Sequence, residues 1–83
     1  NTVKLQVAYA GVTEPMLPSE LNILHRSHVG RVYTYIVRGS SAEILRRMEI
    51  TEPILLESIP LTLEEIFIYE LGGVDYAAKD ILL

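Results

Sequence analysis

A small α+β domain built on a mainly antiparallel sheet is predicted by three features of the sequence. An alternating apolar run opens at Thr2, two β-rich runs separated by one glycine follow it, and two capped amphipathic segments come later. The 83 residues, 49% of them apolar, suffice for one modest core and one domain, near the lower end of what folds unaided. Three or four strands covered on one face by two helices are the natural packing for these patterns.

From Thr2 to Ala10, Val3, Leu5, Val7 and Tyr9 alternate with Thr2, Lys4, Gln6 and Ala8, so one face of a first strand meets the core. Gly11 ends it. The next stretch, "VTEPMLPSEL", holds two prolines and reads as a loop, with room for a short helix at Pro18 to Leu21. "NILHRSHV" and "RVYTYIVRG" then form a hairpin reversed at Gly30. In the second of these runs Tyr33, Tyr35 and Val37 share one face and Val32, Thr34 and Ile36 the other. Both faces are apolar enough to place that strand in the middle of the sheet.

"GSSAEILRRMEI" reads as a helix whose Ser40 caps the amide of Glu43 while Glu43 reaches back to the amide of Ser40. Its apolar stripe is Ala42, Ile44, Leu45 and Met48. After Pro53, "ILLESI" is a further strand. "IPLTLEEIFIYELGG" carries the last clear helix, with Thr62 and Glu65 as a capping box and Leu61 placed to staple against Ile66. Leu63, Ile66, Phe67 and Leu71 are its expected buried stripe, and Gly72 and Gly73 give a left-handed exit. A tail, "VDYAAKDILL", follows. The order of elements resembles a ferredoxin-like sandwich with a degenerate first helix, two helices lying on one face of the sheet.

The net charge of −4 argues against a nucleic-acid binder, which needs a basic surface to release counterions. Without cysteine there is no disulfide framework and no thiolate chemistry. No apolar run approaches the ~20 residues of a membrane-spanning helix, and no signal-peptide pattern opens the sequence, so a soluble piece is expected. The chain starts with Asn1 and enters strand-like sequence almost at once, as a piece cut from a longer chain would.

Candidate chemistry is sparse. His25 and His28 stand three apart in a strand, which sends them to opposite faces and disfavours a shared metal. Glu64 and Glu65 point about 100° apart on a helix, wrong for an acid and base acting across one substrate, and capping accounts for them. Ser40 and Ser41 after Gly39 read as a cap rather than an anion site. Tyr9, Tyr33, Tyr35, Tyr69 and Tyr76 could stack on bases, but the acidic charge favours a half-buried sheet rim. No phosphate-binding loop, dinucleotide fingerprint, nucleophile elbow or cysteine-histidine pattern occurs, so no catalytic, cofactor or metal residue is assigned and the fragment is not expected to be an enzyme.

The segment "PILLESIPLTLEEIFIYELGG" resembles the carboxy-terminal end of ATP-binding subunits of bacterial ABC transporters, particularly exporters of the multidrug or sodium-efflux type. The match is close over Pro60 to Phe67 and general over Pro53 to Gly73. The resemblance implies an accessory or regulatory domain that follows a nucleotide-binding domain. The ATPase site, with its ATP and Mg, would lie upstream, since the phosphate-binding loop, signature motif and catalytic glutamate are absent here. Implied partners are that nucleotide-binding domain, a second copy of the accessory domain, and a membrane-spanning subunit reached through the parent chain. The implied location is the cytoplasmic side of the cell membrane. The expected contact surface is a free sheet face together with the apolar tail residues Ile81, Leu82 and Leu83, unless that tail folds back on the sheet. The alternatives are a free-standing ferredoxin-like small-molecule sensor and a dimerisation or protein-interaction module.

Overall fold

The structure, a computed structural model, describes residues 2–11 and 14–72. Four strands, β1 (Thr2–Ala8), β2 (Asn22–Val29), β3 (Val32–Arg38) and β4 (Leu55–Ile59), form one sheet in the order β2-β3-β1-β4. Every neighbouring pair is antiparallel. Helix α1 (Ser41–Glu49) connects β3 to β4, and α2 (Leu63–Glu65) runs directly into a π-helical turn at Ile66–Glu70.

Strand alternation decides which residues meet. Leu5 lies opposite Tyr35 and Val3 opposite Val37, so these four side chains share a face. Onto it α1 lays Ile44 and Met48, closing a cluster of Val3, Leu5, Val7, Tyr35, Val37, Ile44 and Met48. Met48 is fully buried and Leu5 is 1% exposed. β3 holds the expected central place, between β2 and β1, and is buried on both faces: Tyr35 and Val37 on the α1 side, Ile36 on the other. The β2-β3 reversal falls at Gly30, whose φ of 60° is the left-handed conformation foreseen there.

The expectation of two helices on one face is overturned. Lys4, on the face opposite Leu5, reaches Glu65 of α2, and Tyr69 lies 6.1 Å from the ring of His25, which pairs with Ile36. The carboxy-terminal helical segment therefore lies on the sheet face away from α1. The physical reason is in β3 itself. Its second apolar face, with Ile36 at 1% exposure, needs a cover as much as the first.

Smaller corrections follow the same logic. β1 stops at Ala8, two residues before the expected end, and the backbone of Ala8 accepts a hydrogen bond from the Ile54 amide. Pro18 to Leu21 is a turn closed by the Leu21 amide on the Pro18 carbonyl. Ser40 is the N-cap residue of α1 but makes no side-chain cap bond, and the Glu43 carboxylate, instead of reaching back to the Ser40 amide, pairs with Arg46 and Arg47 one turn on, at 3.3 and 3.4 Å. Arg47 also pairs with Glu20 at 3.4 Å, tying the β1-β2 connection to α1. Of the expected α1 stripe, Ala42 is exposed while Ile44 and Met48 are buried.

Candidate functional site

The segment from Pro60 to Gly72 is held to the sheet by specific polar contacts. The Glu65 amide donates to Thr62 Oγ1 at 3.1 Å, and the Thr62 amide donates to Glu65 Oε1 at 2.9 Å, completing the capping box foreseen in the sequence. The same carboxylate accepts from Lys4 Nζ at 3.0 and 2.9 Å, with the two side chains only 17% and 23% exposed. Glu65 thus caps its helix and clamps it to β1. Burial pushes its acidity toward the neutral form, but the Thr62 amide and the Lys4 ammonium together outweigh that and hold the carboxyl below its ordinary value of 4.5. Arg38 adds a bond to the Tyr69 carbonyl at 3.2 Å.

Beyond Glu65 the helix widens, the Leu71 amide bonding the Ile66 carbonyl five residues back. Ile66, Ile68 and Tyr69 are half-buried, whereas Leu63 is 86%, Leu71 72% and Phe67 39% exposed. The expected inward stripe of Leu63, Ile66, Phe67 and Leu71 is therefore split: only Ile66 turns in, and Leu63, Phe67 and Leu71, spaced by four, line the outside. Gly72, at φ 70°, provides the left-handed exit. The sheet face expected to be free is covered by this helical segment, through Glu65 on Lys4 and Tyr69 beside His25. Gly73, Tyr76 and the tail with Ile81, Leu82 and Leu83 lie outside the described residues.

A second feature opens on the α1 side of the sheet. The β1-β2 connection, kept irregular by Pro15 and Pro18, stands over β2 and β3 and leaves a cleft of about 480 Å³. Its floor is the pair Arg26 and Tyr35, directly opposite each other in the antiparallel register, and its walls include Leu17, Leu21 and Ile23. Tyr35 is 2% exposed and lines this space from the core side. Burial pushes its phenol up from the ordinary value of 10.0, the Arg26 charge opposing this less strongly, so the hydroxyl is a neutral donor at physiological pH. Neither the Arg26 guanidinium nor the Tyr35 hydroxyl has a hydrogen-bond or ion-pair partner among the described residues.

The remaining candidates fall as their spacing requires. His28 stacks on Tyr33 at 4.8 Å on the α1 side, His25 faces the other way, and no group of three or more potential ligands is placed to hold a metal among the described residues. Tyr33 and Tyr35 stack at 6.1 Å along β3, and Tyr9 hydrogen-bonds Thr51; Tyr9 and Tyr33 are half-buried as expected, whereas Tyr35 belongs to the core. Glu64 is exposed, and Ser40 and Ser41 start α1. No helix among the described residues is long and apolar enough to cross a membrane. Arg26 was not singled out in the sequence. The one signal for it is its register with Tyr35, hidden by a bulge between Ile23 and His25 that shifts the alternation of β2. Comparison with protein-family models, with curated proteins and with solved structures finds no match to this chain.

Proposed function

We propose that this chain is the accessory, carboxy-terminal domain of an ATP-binding subunit of an ABC transporter, and that it works through contacts rather than chemistry. One observation carries the reading: the "PLTLEEIF" segment that bears the resemblance is also the segment clamped to the sheet by Glu65, with Leu63 and Leu71 turned outward. A helix fixed by its polar side and exposing apolar residues is built to receive another surface. In this reading the occupant is the nucleotide-binding domain of the same chain, which holds the ATP and Mg, and the whole sits at the cytoplasmic side of a membrane partner. The strand order β2-β3-β1-β4 supports a ferredoxin-like arrangement in which the irregular β1-β2 connection stands where a first helix would be.

A free-standing small-molecule sensor is the second reading, and the cleft above Arg26 and Tyr35 favours it. The coding sequence directly upstream of Asn1 separates the two. An open frame with a G-x-x-x-x-G-K-[ST] loop between a strand and a helix is the expected result. A start codon immediately before Asn1 refutes the transporter reading.

A further inference from the structure

We infer that the cleft between the β1-β2 connection and the β2-β3 hairpin binds a small monocarboxylate with a short apolar body, its acid group held by Arg26 and the Tyr35 hydroxyl. Two donors without hydrogen-bond partners among the described residues line one half-enclosed space, one of them a permanent cation and the other a neutral hydroxyl at a buried ring. A guanidinium offers paired N–H groups matched to a carboxylate, and the hydroxyl supplies a further bond. The donor set fits a single negative charge. A phosphate dianion needs more cations than one, and Glu14, whose charge also reaches the Tyr35 hydroxyl, though less than that of Arg26, repels a second negative charge. Leu17, Leu21 and Ile23 at the walls fit a few methylenes or one ring, not a long chain.

The cleft exists because of the sequence that makes the crossover. α1 covers β1 and the β4 side, and the proline-containing connection, pinned by Glu20 to Arg47, lacks the helix that would bury Arg26 and the Tyr35 hydroxyl. The inference stands on this geometry alone and is independent of the transporter reading, which survives or fails by the upstream frame.

The test is a titration of the isotope-labelled chain with butyrate and benzoate, followed by amide shifts, with butyramide and inorganic phosphate as controls. Saturable shifts centred on Leu21, Asn22, Arg26 and Tyr35 are expected for the carboxylates and not for the controls, at millimolar affinity as befits one charged contact. Arg26→Gln should weaken binding about tenfold or more and Tyr35→Phe roughly threefold to tenfold, without loss of the folded spectrum. Glu14→Gln should tighten it about twofold by removing a like charge. No saturable shift up to about 20 mM, an equal response to butyramide or phosphate, or full binding by Arg26→Gln overturns the inference.

Discussion

Replacing Glu65 by Ala removes one carboxylate that serves two structures. It deletes half of the capping box, which costs about 1 kcal/mol. It also strands Lys4, whose side chain is 17% exposed and whose ammonium has both Glu65 oxygens as partners. An exposed pair contributes less than ~1 kcal/mol and breaking a fully buried one costs ~3 to 5, so this intermediate site is worth about 1 to 2. The total is about 2 to 3 kcal/mol, which lowers the melting temperature of a domain this size by roughly 8 to 24 °C. Thr62→Ala, which touches only the cap, should cost about 1 kcal/mol. A double-mutant cycle of Glu65→Ala with Lys4→Met should show a coupling of about 1 kcal/mol. Thermal and urea unfolding of the unaltered chain and of the four variants give these differences. If Glu65→Ala costs no more than Thr62→Ala and the coupling is within ~0.3 kcal/mol of zero, α2 is not clamped to β1 and the reasoning fails.

Other consequences are independent of that clamp. Because the Glu65 carboxyl is held below 4.5 in the folded chain, its contribution is fully present above that pH and is lost as pH falls through the lowered folded value; the Glu65→Gln chain should show a flatter loss of stability on acidification. Met48→Ala opens a cavity beneath α1 and should cost about 2 to 5 kcal/mol by denaturant unfolding, enough to unfold much of a marginal domain. Gly39→Ala should cost more than Gly30→Ala. Both have positive φ, but an added Cβ at Gly39 meets Ile44 Cδ1 at 3.2 Å, whereas nothing stands within 4 Å at Gly30. Glu52 occupies a left-handed φ of 60° just after α1, so Glu52→Gly should stabilise by about 0.5 to 1 kcal/mol in the same assay.

Much of this fold was legible because period-two alternation in β1 and β3 is strict and register follows from it. Leu5 opposite Tyr35 and Val3 opposite Val37 turn a sequence pattern into a core. The capping box at Thr62 was legible for a similar reason, since its two partners are three residues apart and need no tertiary knowledge. The placement of that helix was not. A period of 3.6 groups Leu63, Phe67 and Leu71 on one face but does not say which face meets the sheet; Leu63 is already 86% exposed before the wide turn begins at Ile66, and nothing local announces that turn. Which face the helix takes could have been read from Ile36, whose apolar side of β3 had no other cover, and from Lys4, an interior-strand cation in need of a carboxylate. The Glu43 cap failed because two arginines lie within reach on the next turn and compete for it. Arg26 was obscured by the bulge in β2, where one extra residue inverts the inside-outside reading of the residues after it.

The central proposal is that the outer surface of the carboxy-terminal helical segment, with Leu63 and Leu71 exposed, would be received by a larger protein. Amide hydrogen exchange on this chain alone, and on a chain that carries the ATP-binding domain proposed to precede it, tests it most directly. The account predicts added protection from Leu63 to Leu71 in the longer chain, and its loss when Leu63 and Leu71 are both replaced by Lys, with the stability of the isolated chain changed by less than ~0.5 kcal/mol. Protection confined to other surfaces, or unchanged by the double substitution, contradicts it.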